Sequence, residues 1–148
     1  MLIQLRPDYV ASNWNIISKA IEEADPPYVH DDPEKMNNVL RAILSEKMHC
    51  WAYYGELEGK ATILGILVTT VIDDPCSGVR NLLIYSMTGY NRITLEMYKD
   101  GFNTLKTFAK GIGCHRIIAY TNSRRVAQVT RLLGGETEYI LVSFEVAE

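Results

Sequence analysis

The run Thr88-Gly89-Tyr90-Asn91-Arg92 joins an apolar strand pattern to a helical one, and its residue types could bind an anion. Gly89 lets the backbone approach a ligand closely, amides at the start of the following helix point outward with the positive end of the dipole, and Arg92 adds a cation. An ordinary single-glycine turn accounts for the same residues, so both readings stay open. Further along, Tyr120-Thr121-Asn122 closes another strand pattern just ahead of Ser123-Arg124-Arg125. Asn122 fits an N-cap that needs no ligand. Arg124 and Arg125 fall in a first helical turn, where cations oppose the dipole; they are solvated, or they meet an anion or an acidic partner surface.

The remaining polar groups point away from familiar chemistries. His30-Asp31-Asp32 could orient an amine or coordinate a cation, but no third ligand stands at sensible spacing, and a solvated, helix-capping loop explains the run. His49 and His115 are isolated and read as structural, while Glu56 and Glu58 flank a turn as solubilising charges. No Ser/His/Asp or Cys/His arrangement with a recognisable local context is present. Cys50, Cys76 and Cys114 are odd in number and far apart, which suggests neither a disulfide framework nor a zinc site, so no metal is expected and a reducing cytoplasm is the expected location.

The elements that must position these groups fit one domain spanning residues 1–148, since 148 residues with 47% apolar content can bury one real core. A net charge of −3 argues against binding bulk nucleic acid, and no apolar run approaches the length of a membrane span. Leu2–Leu5 reads as a strand ended by Arg6-Pro7, and the apolar positions from Tyr9 to Ala24 recur at helical spacing as one helix. Asp32 before Pro33 predicts the cap of a second helix with Met36, Val39, Leu40, Ile43 and Leu44 on its stripe. Met48–Tyr54 and Ala61–Ile72 flank a turn at Gly55–Gly59 as a hairpin, and Val79–Met87 is a fourth strand. A helix follows over about 93–112, with Gly101 inside it, a position that a close helix-to-sheet approach would explain. Strand Arg116–Tyr120, helix Ser123–Leu133 and strand Thr137–Val146 complete the order β-α-α-β-β-β-α-β-α-β. An α/β chain of this order is satisfied by a mixed sheet covered by helices on both faces.

That order, together with Gly113-Cys-His-Arg-Ile-Ile-Ala-Tyr-Thr-Asn122 and a following helix that stops at Gly134-Gly135, resembles the GNAT superfamily of acyl-CoA N-acyltransferases. The segment from Arg92 to Lys99, with the Tyr-Thr-Asn and Leu-Leu-Gly-Gly runs, is also similar to GNAT-like proteins of tailed bacteriophages. The resemblance implies a GNAT-like fold, acetyl-CoA or CoA as cofactor, and an amine as acceptor. It implies that Met87, Gly89, Arg92 and Asn122 contact the cofactor, with a backbone amide near Met87 polarising the thioester carbonyl. It further implies a glycine loop for pyrophosphate near Ile93–Tyr98, where the sequence has no glycine and has Glu96 instead. The family's tyrosine acid would fall at Thr130 and its Gly-Phe phenylalanine at Gly135, so the catalytic residue is left unassigned, with Tyr85, Tyr90 and Tyr120 as replacements. Two functions follow: an N-acetyltransferase of unknown acceptor, with a small-molecule or peptide amine as partner, or a catalytically inactive GNAT-like binding or assembly protein that engages a protein partner.

Overall fold

The computed structural model describes residues 1–24, 32–90 and 93–146. In chain order it contains β1 (Leu2–Gln4), α1 (Pro7–Ser12), α2 (Trp14–Glu23), α3 (Lys35–Leu44), β2 (Met48–Leu57), β3 (Lys60–Asp73), β4 (Arg80–Gly89), α4 (Leu95–Gly111), β5 (Arg116–Ala119) and α5 (Arg124–Leu132). The five strands form one mixed sheet in the order β1-β2-β3-β4-β5. All neighbours are antiparallel except β4 and β5, which are parallel and are therefore joined by the crossover helix α4.

Alternation along the strands sorts the core into two layers. On one face Cys50, Ala52, Ile66 and Val68 pack against Val10, Ile17, Ile21, Val39 and Ile43 of the first three helices. On the other, Trp51, Leu67 and Leu82 pack against Leu105 and Ala109 of α4. This second layer holds a polar knot. Trp51 Nε1 donates to Thr69 Oγ1 at 3.0 Å, and His49 Nδ1 lies 3.2 Å from the same oxygen. The edge of Phe108 meets both rings, with centroids 4.9 Å from Trp51 and 5.0 Å from His49. Thr69 is fully buried, so these bonds spare it the cost of an unmade hydrogen bond.

Several local expectations are corrected. The first helical stretch is two helices that meet at Asn13, whose side chain donates to the Tyr9 carbonyl at 2.9 Å alongside its own backbone N–H at 3.1 Å. Asp32 is not the cap of α3. Its carboxylate accepts from Glu34 N at 2.9 Å in a turn just ahead of the helix, and Leu44 is exposed rather than on the buried stripe. The hairpin turn is tighter than Gly55–Gly59: Leu57 pairs with Lys60, and the two central residues Glu58 and Gly59 both have positive φ, as a primed turn requires. Gly101 is buried over Tyr53, but a Cβ there would meet that ring at 3.8 Å, so close approach does not demand glycine. Thr137–Val146 forms no strand, since its apolar side chains face solvent and it pairs with no described strand. No helix among the described residues is long and apolar enough to cross a membrane.

Candidate active site

The sheet opens where β4 and β5 part. Pairing runs from Asn81 with Arg116 to Ile84 with Ala119 and ends there, while β4 continues to Gly89 beside β3. The parting coincides with a bulge. Val68 pairs with Ser86 and Thr69 with Ile84, so Tyr85 is an extra residue on β4 that bends the strand and raises its twist.

Beyond the bulge, hydrogen-bond alternation decides which way each amide points. Tyr90 N donates to the Leu64 carbonyl at 2.8 Å, which makes Thr88 and Ser86 the following residues bonded to β3. The amides of Met87 and Gly89, between them, turn toward the side that β5 has left. Thr88 Oγ1 donates to the Ala20 carbonyl and fastens this strand end to α2. A Cβ on Gly65, which pairs with Gly89, would lie 2.7 Å from the Thr88 carbonyl oxygen, so glycine is required for the two strands to approach this closely.

The next wall is the start of α4. Thr94 caps the helix by accepting from Met97 N at 3.3 Å, and the amides of Leu95 and Glu96 have no helical acceptor. Arg125 Nη2 donates to the Ile93 carbonyl at 2.8 Å, which holds a guanidinium next to that helix end and joins α5 to α4. The positive dipole end and this cation suit an anion, although Glu96 in the first turn opposes it. Opposite stands the end of β5, where Ser123, not Asn122, is the N-cap of α5: its hydroxyl accepts from Val126 N at 3.3 Å. Asn122 is exposed and takes no part in the cap. The residues singled out by sequence therefore divide. Met87 and Gly89 lie on the part of β4 beyond its pairing with β5, and Asn122 follows the end of β5, whereas Asn91, Arg92, His30 and Asp31 lie outside the described residues.

No known family pattern matches the sequence, and no curated protein matches it. Solved structures do. An aminoglycoside acetyltransferase from an uncultured soil metagenomic sample, in complex with sisomicin, superposes with TM-score 0.68 at 14% identity over 100% of this chain and 95% of its own. The ribosomal-protein-alanine N-acetyltransferase of Brucella melitensis biovar Abortus 2308 gives 0.66 at 8% identity over 98% and 97%. AAC(6')-Iy, in complex with a bisubstrate analog built on CoA, gives 0.66 at 13% over 99% and 97%. This chain has the GNAT acetyltransferase fold.

Against the GNAT resemblance, the two expected side-chain functions are missing for visible reasons. Thr130 Oγ1 donates to the Val126 carbonyl at 2.8 Å and is not directed to a proton-transfer role. Gly135 cannot be a phenylalanine, because a Cβ would lie 2.5 Å from Thr130 Cγ2, and its amide instead closes the helix end on the Thr130 carbonyl at 2.8 Å. Of the three tyrosines, Tyr85 packs against the core formed with the first three helices. Tyr90 is exposed, and its phenol is pushed up by burial first, then by the charges of Glu23 and Cys50. Tyr120 stands exposed at the end of β5 where the strands part. Among the described residues no group of three or more His, Cys, Asp or Glu could hold a metal. Sequence reasoning missed Gly65 and the bulge at Tyr85. An isolated glycine inside the β-branched run Thr62–Ile72 was the available signal for the first.

Proposed function

We propose that this chain is an acyl-CoA-dependent N-acyltransferase that acts on an amine. The observation that carries the reading is the pair of backbone amides, Met87 and Gly89, turned into the opening between β4 and β5 beside the start of α4. Bound acyl-CoA would supply an activated thioester. The chain would contribute the Met87 N–H as a fixed donor to the carbonyl oxygen as charge develops there, an interaction stronger in the transition state than in the ground state. Leu95 and Glu96 amides, with Arg125 and Arg92, would hold the pyrophosphate without a glycine loop, and Gly89 and Asn122 would border the cofactor. The neutral amine would attack the thioester carbonyl carbon; as the amide forms, the carbon–sulfur bond would break, the proton of the attacking nitrogen would pass to water or a carboxylate, and the CoA thiolate would leave and take up a proton. The neighbours' complexes with sisomicin and a CoA-linked analog support a small amine as the acceptor class and CoA as the cofactor.

Calorimetry with acetyl-CoA and CoA tests this first. Binding that weakens in Arg125→Ala is expected, and no heat at millimolar ligand would overturn the assignment. Thiol release across a panel of polyamines, aminoglycosides and peptide N-termini then identifies the acceptor.

The bonded Thr130 hydroxyl and the glycine at 135 favour a second reading, a catalytically silent GNAT-like binding or assembly protein, of the kind suggested by the similarity to phage GNAT-like proteins. Robust acetyl transfer that disappears on changing Arg92 and Asn122 eliminates it.

A further inference from the structure

Helix α4 presents two different faces. Gly101, Leu105 and Ala109 are buried, while Leu95, Lys99, Phe102 and Lys106 recur at helical spacing on a face that borders α5. Between that face and Leu132 and Leu133 at the end of α5 lies a concavity of about 270 Å³. Its lining includes the half-buried Phe102 ring, and Lys106 Nζ sits 5.7 Å from the centroid of that ring. Lys99 and Lys106 are exposed and stand ~10 Å apart along the helix axis, and neither forms an ion pair with a described residue. An aromatic ring between two unpaired cations suits a planar group that carries a phosphate. The concavity begins at Leu95 and Glu96, whose amides have no helical acceptor at the start of α4.

We propose that this groove holds the 3′-phosphoadenosine end of acyl-CoA, with the adenine on Phe102 and the 3′-phosphate between Lys99 and Lys106, so that these lysines set selectivity for a 3′-phosphorylated carrier. The proposal rests on the acyl-CoA reading and extends it to the far end of the ligand. Connectivity decides the direction. With the thioester at the Met87 amide and the pyrophosphate at the start of α4, the nucleoside is the part that continues away from the opening between β4 and β5, and the groove starts at that point. Size agrees: a pocket that encloses a whole small molecule measures ~300–1,000 Å³, so this smaller concavity takes one end of a ligand. Charge agrees as well. A phosphate monoester carries about −1.5 to −2 near neutral pH, and the groove gathers two cations on a chain whose net charge is −3. Leu132 and Leu133 supply apolar contact for the base.

Calorimetry of the full chain with CoA, dephospho-CoA and adenosine 3′,5′-bisphosphate tests this, because the first two differ only in the 3′-phosphate. CoA should bind about tenfold more tightly than dephospho-CoA at low salt, the preference should shrink as salt is raised, and the bisphosphate should displace CoA. The double variant Lys99→Ala/Lys106→Ala changes only exposed side chains; it should keep its circular dichroism, lose the preference and retain its affinity for dephospho-CoA. Phe102→Ala should weaken both ligands alike, by about fivefold or more, because the base is common to them. Equal affinities for CoA and dephospho-CoA in the parent, a preference that survives in the double variant, or unchanged binding of both ligands by Phe102→Ala would each overturn the proposal and leave the acyl-CoA reading standing. Heat from neither ligand would overturn both.

Discussion

Replacing Gly65 by alanine tests whether the opening of the sheet is set by the close approach of β3 to the end of β4. The added Cβ would stand 2.7 Å from the Thr88 carbonyl oxygen, against about 3.3 Å for the short end of carbon–oxygen contacts between strands, so roughly 0.6 Å must be found. The obstacle is backbone, and the Thr88 hydroxyl is already fastened to Ala20 on the other side. Overpacking of this kind costs ~1–3 kcal/mol, from which ~0.4–1 kcal/mol is recovered because alanine narrows the unfolded ensemble. The net loss is about 1–2 kcal/mol, or a Tm lower by about 2–8 °C for a chain of this size. Displacement of Thr88 also moves the Met87 and Gly89 amides, so calorimetry should show weaker CoA binding as well.

Gly101→Ala is the matched control, the same substitution with the opposite sign. At Gly101 the new Cβ meets Tyr53 and Leu2 at ordinary contact distances of 3.8–4.0 Å, in the interior of α4. Relief of the helical glycine penalty should stabilise the chain by up to ~1 kcal/mol and raise Tm by about 2–4 °C. Scanning calorimetry of both variants decides the matter. A Gly65→Ala protein as stable as the parent, with unchanged CoA binding, would refute the idea that this contact fixes the site.

Three further outcomes are expected. Burial holds the His49 imidazole below its ordinary value, against the opposing pull of the Thr69 bond and the Glu46 charge. The neutral form is therefore favoured on folding: this contribution is complete above the unfolded value near 6.5 and is lost as pH falls through the lower folded value. Thermal denaturation should show Tm falling between pH 7.5 and pH 5.5, and a pH response unchanged in His49→Gln would contradict this. Thr69→Val should cost ~1–3 kcal/mol in urea denaturation, because it strands the buried Trp51 indole N–H, and it should leave Trp51 fluorescence shifted. The Cys50 thiol, pushed up to about 12 by burial, should resist a thiol reagent in the native state while exposed Cys76 reacts first. Mass spectrometry of partially labelled protein separates the two.

Residue type and period were enough for the frame, because burial on two faces writes itself into apolar alternation and helical stripes. Cys50, Ala52, Ile66 and Val68 face one helical layer, and Trp51 and Leu67 face the other, as their period predicts. Side-chain bonds to the backbone leave no mark on the apolar pattern, so the stretch across Asn13, two helices in the structure, reads as continuous. The same limit moved the cap of α5 from Asn122 to Ser123, since either residue fills that role and only the turn at Thr121, whose hydroxyl accepts from Ser123 N at 3.0 Å, selects between them. For Thr137–Val146 the period reports a capacity to pair, and pairing needs an edge within reach.

The candidate site is hard to read for a related reason: most of what it offers is backbone. Met87 and Gly89 are placed by strand alternation and by one inserted residue at Tyr85, and neither feature requires a particular side chain at those positions. A site built from amides can keep its geometry while sequence drifts, in keeping with full-length superposition on acetyltransferases at 8–14% identity. Side chains carry the parts that distinguish one such protein from another. Here they are Arg125, bonded to the Ile93 carbonyl beside the start of α4, and a bonded threonine where the resemblance implies a tyrosine acid. On the proposed function, a threonine at 130 would remove one route for protonating the leaving thiolate without disturbing the amide that would stabilise the carbonyl oxygen. Solvent would then be the remaining proton source in the proposed reaction unless Tyr120, exposed where the strands part, took that role. Tyr120→Phe separates the two: a fall in kcat with KM unchanged assigns the proton to the phenol, and an unchanged kcat assigns it to water.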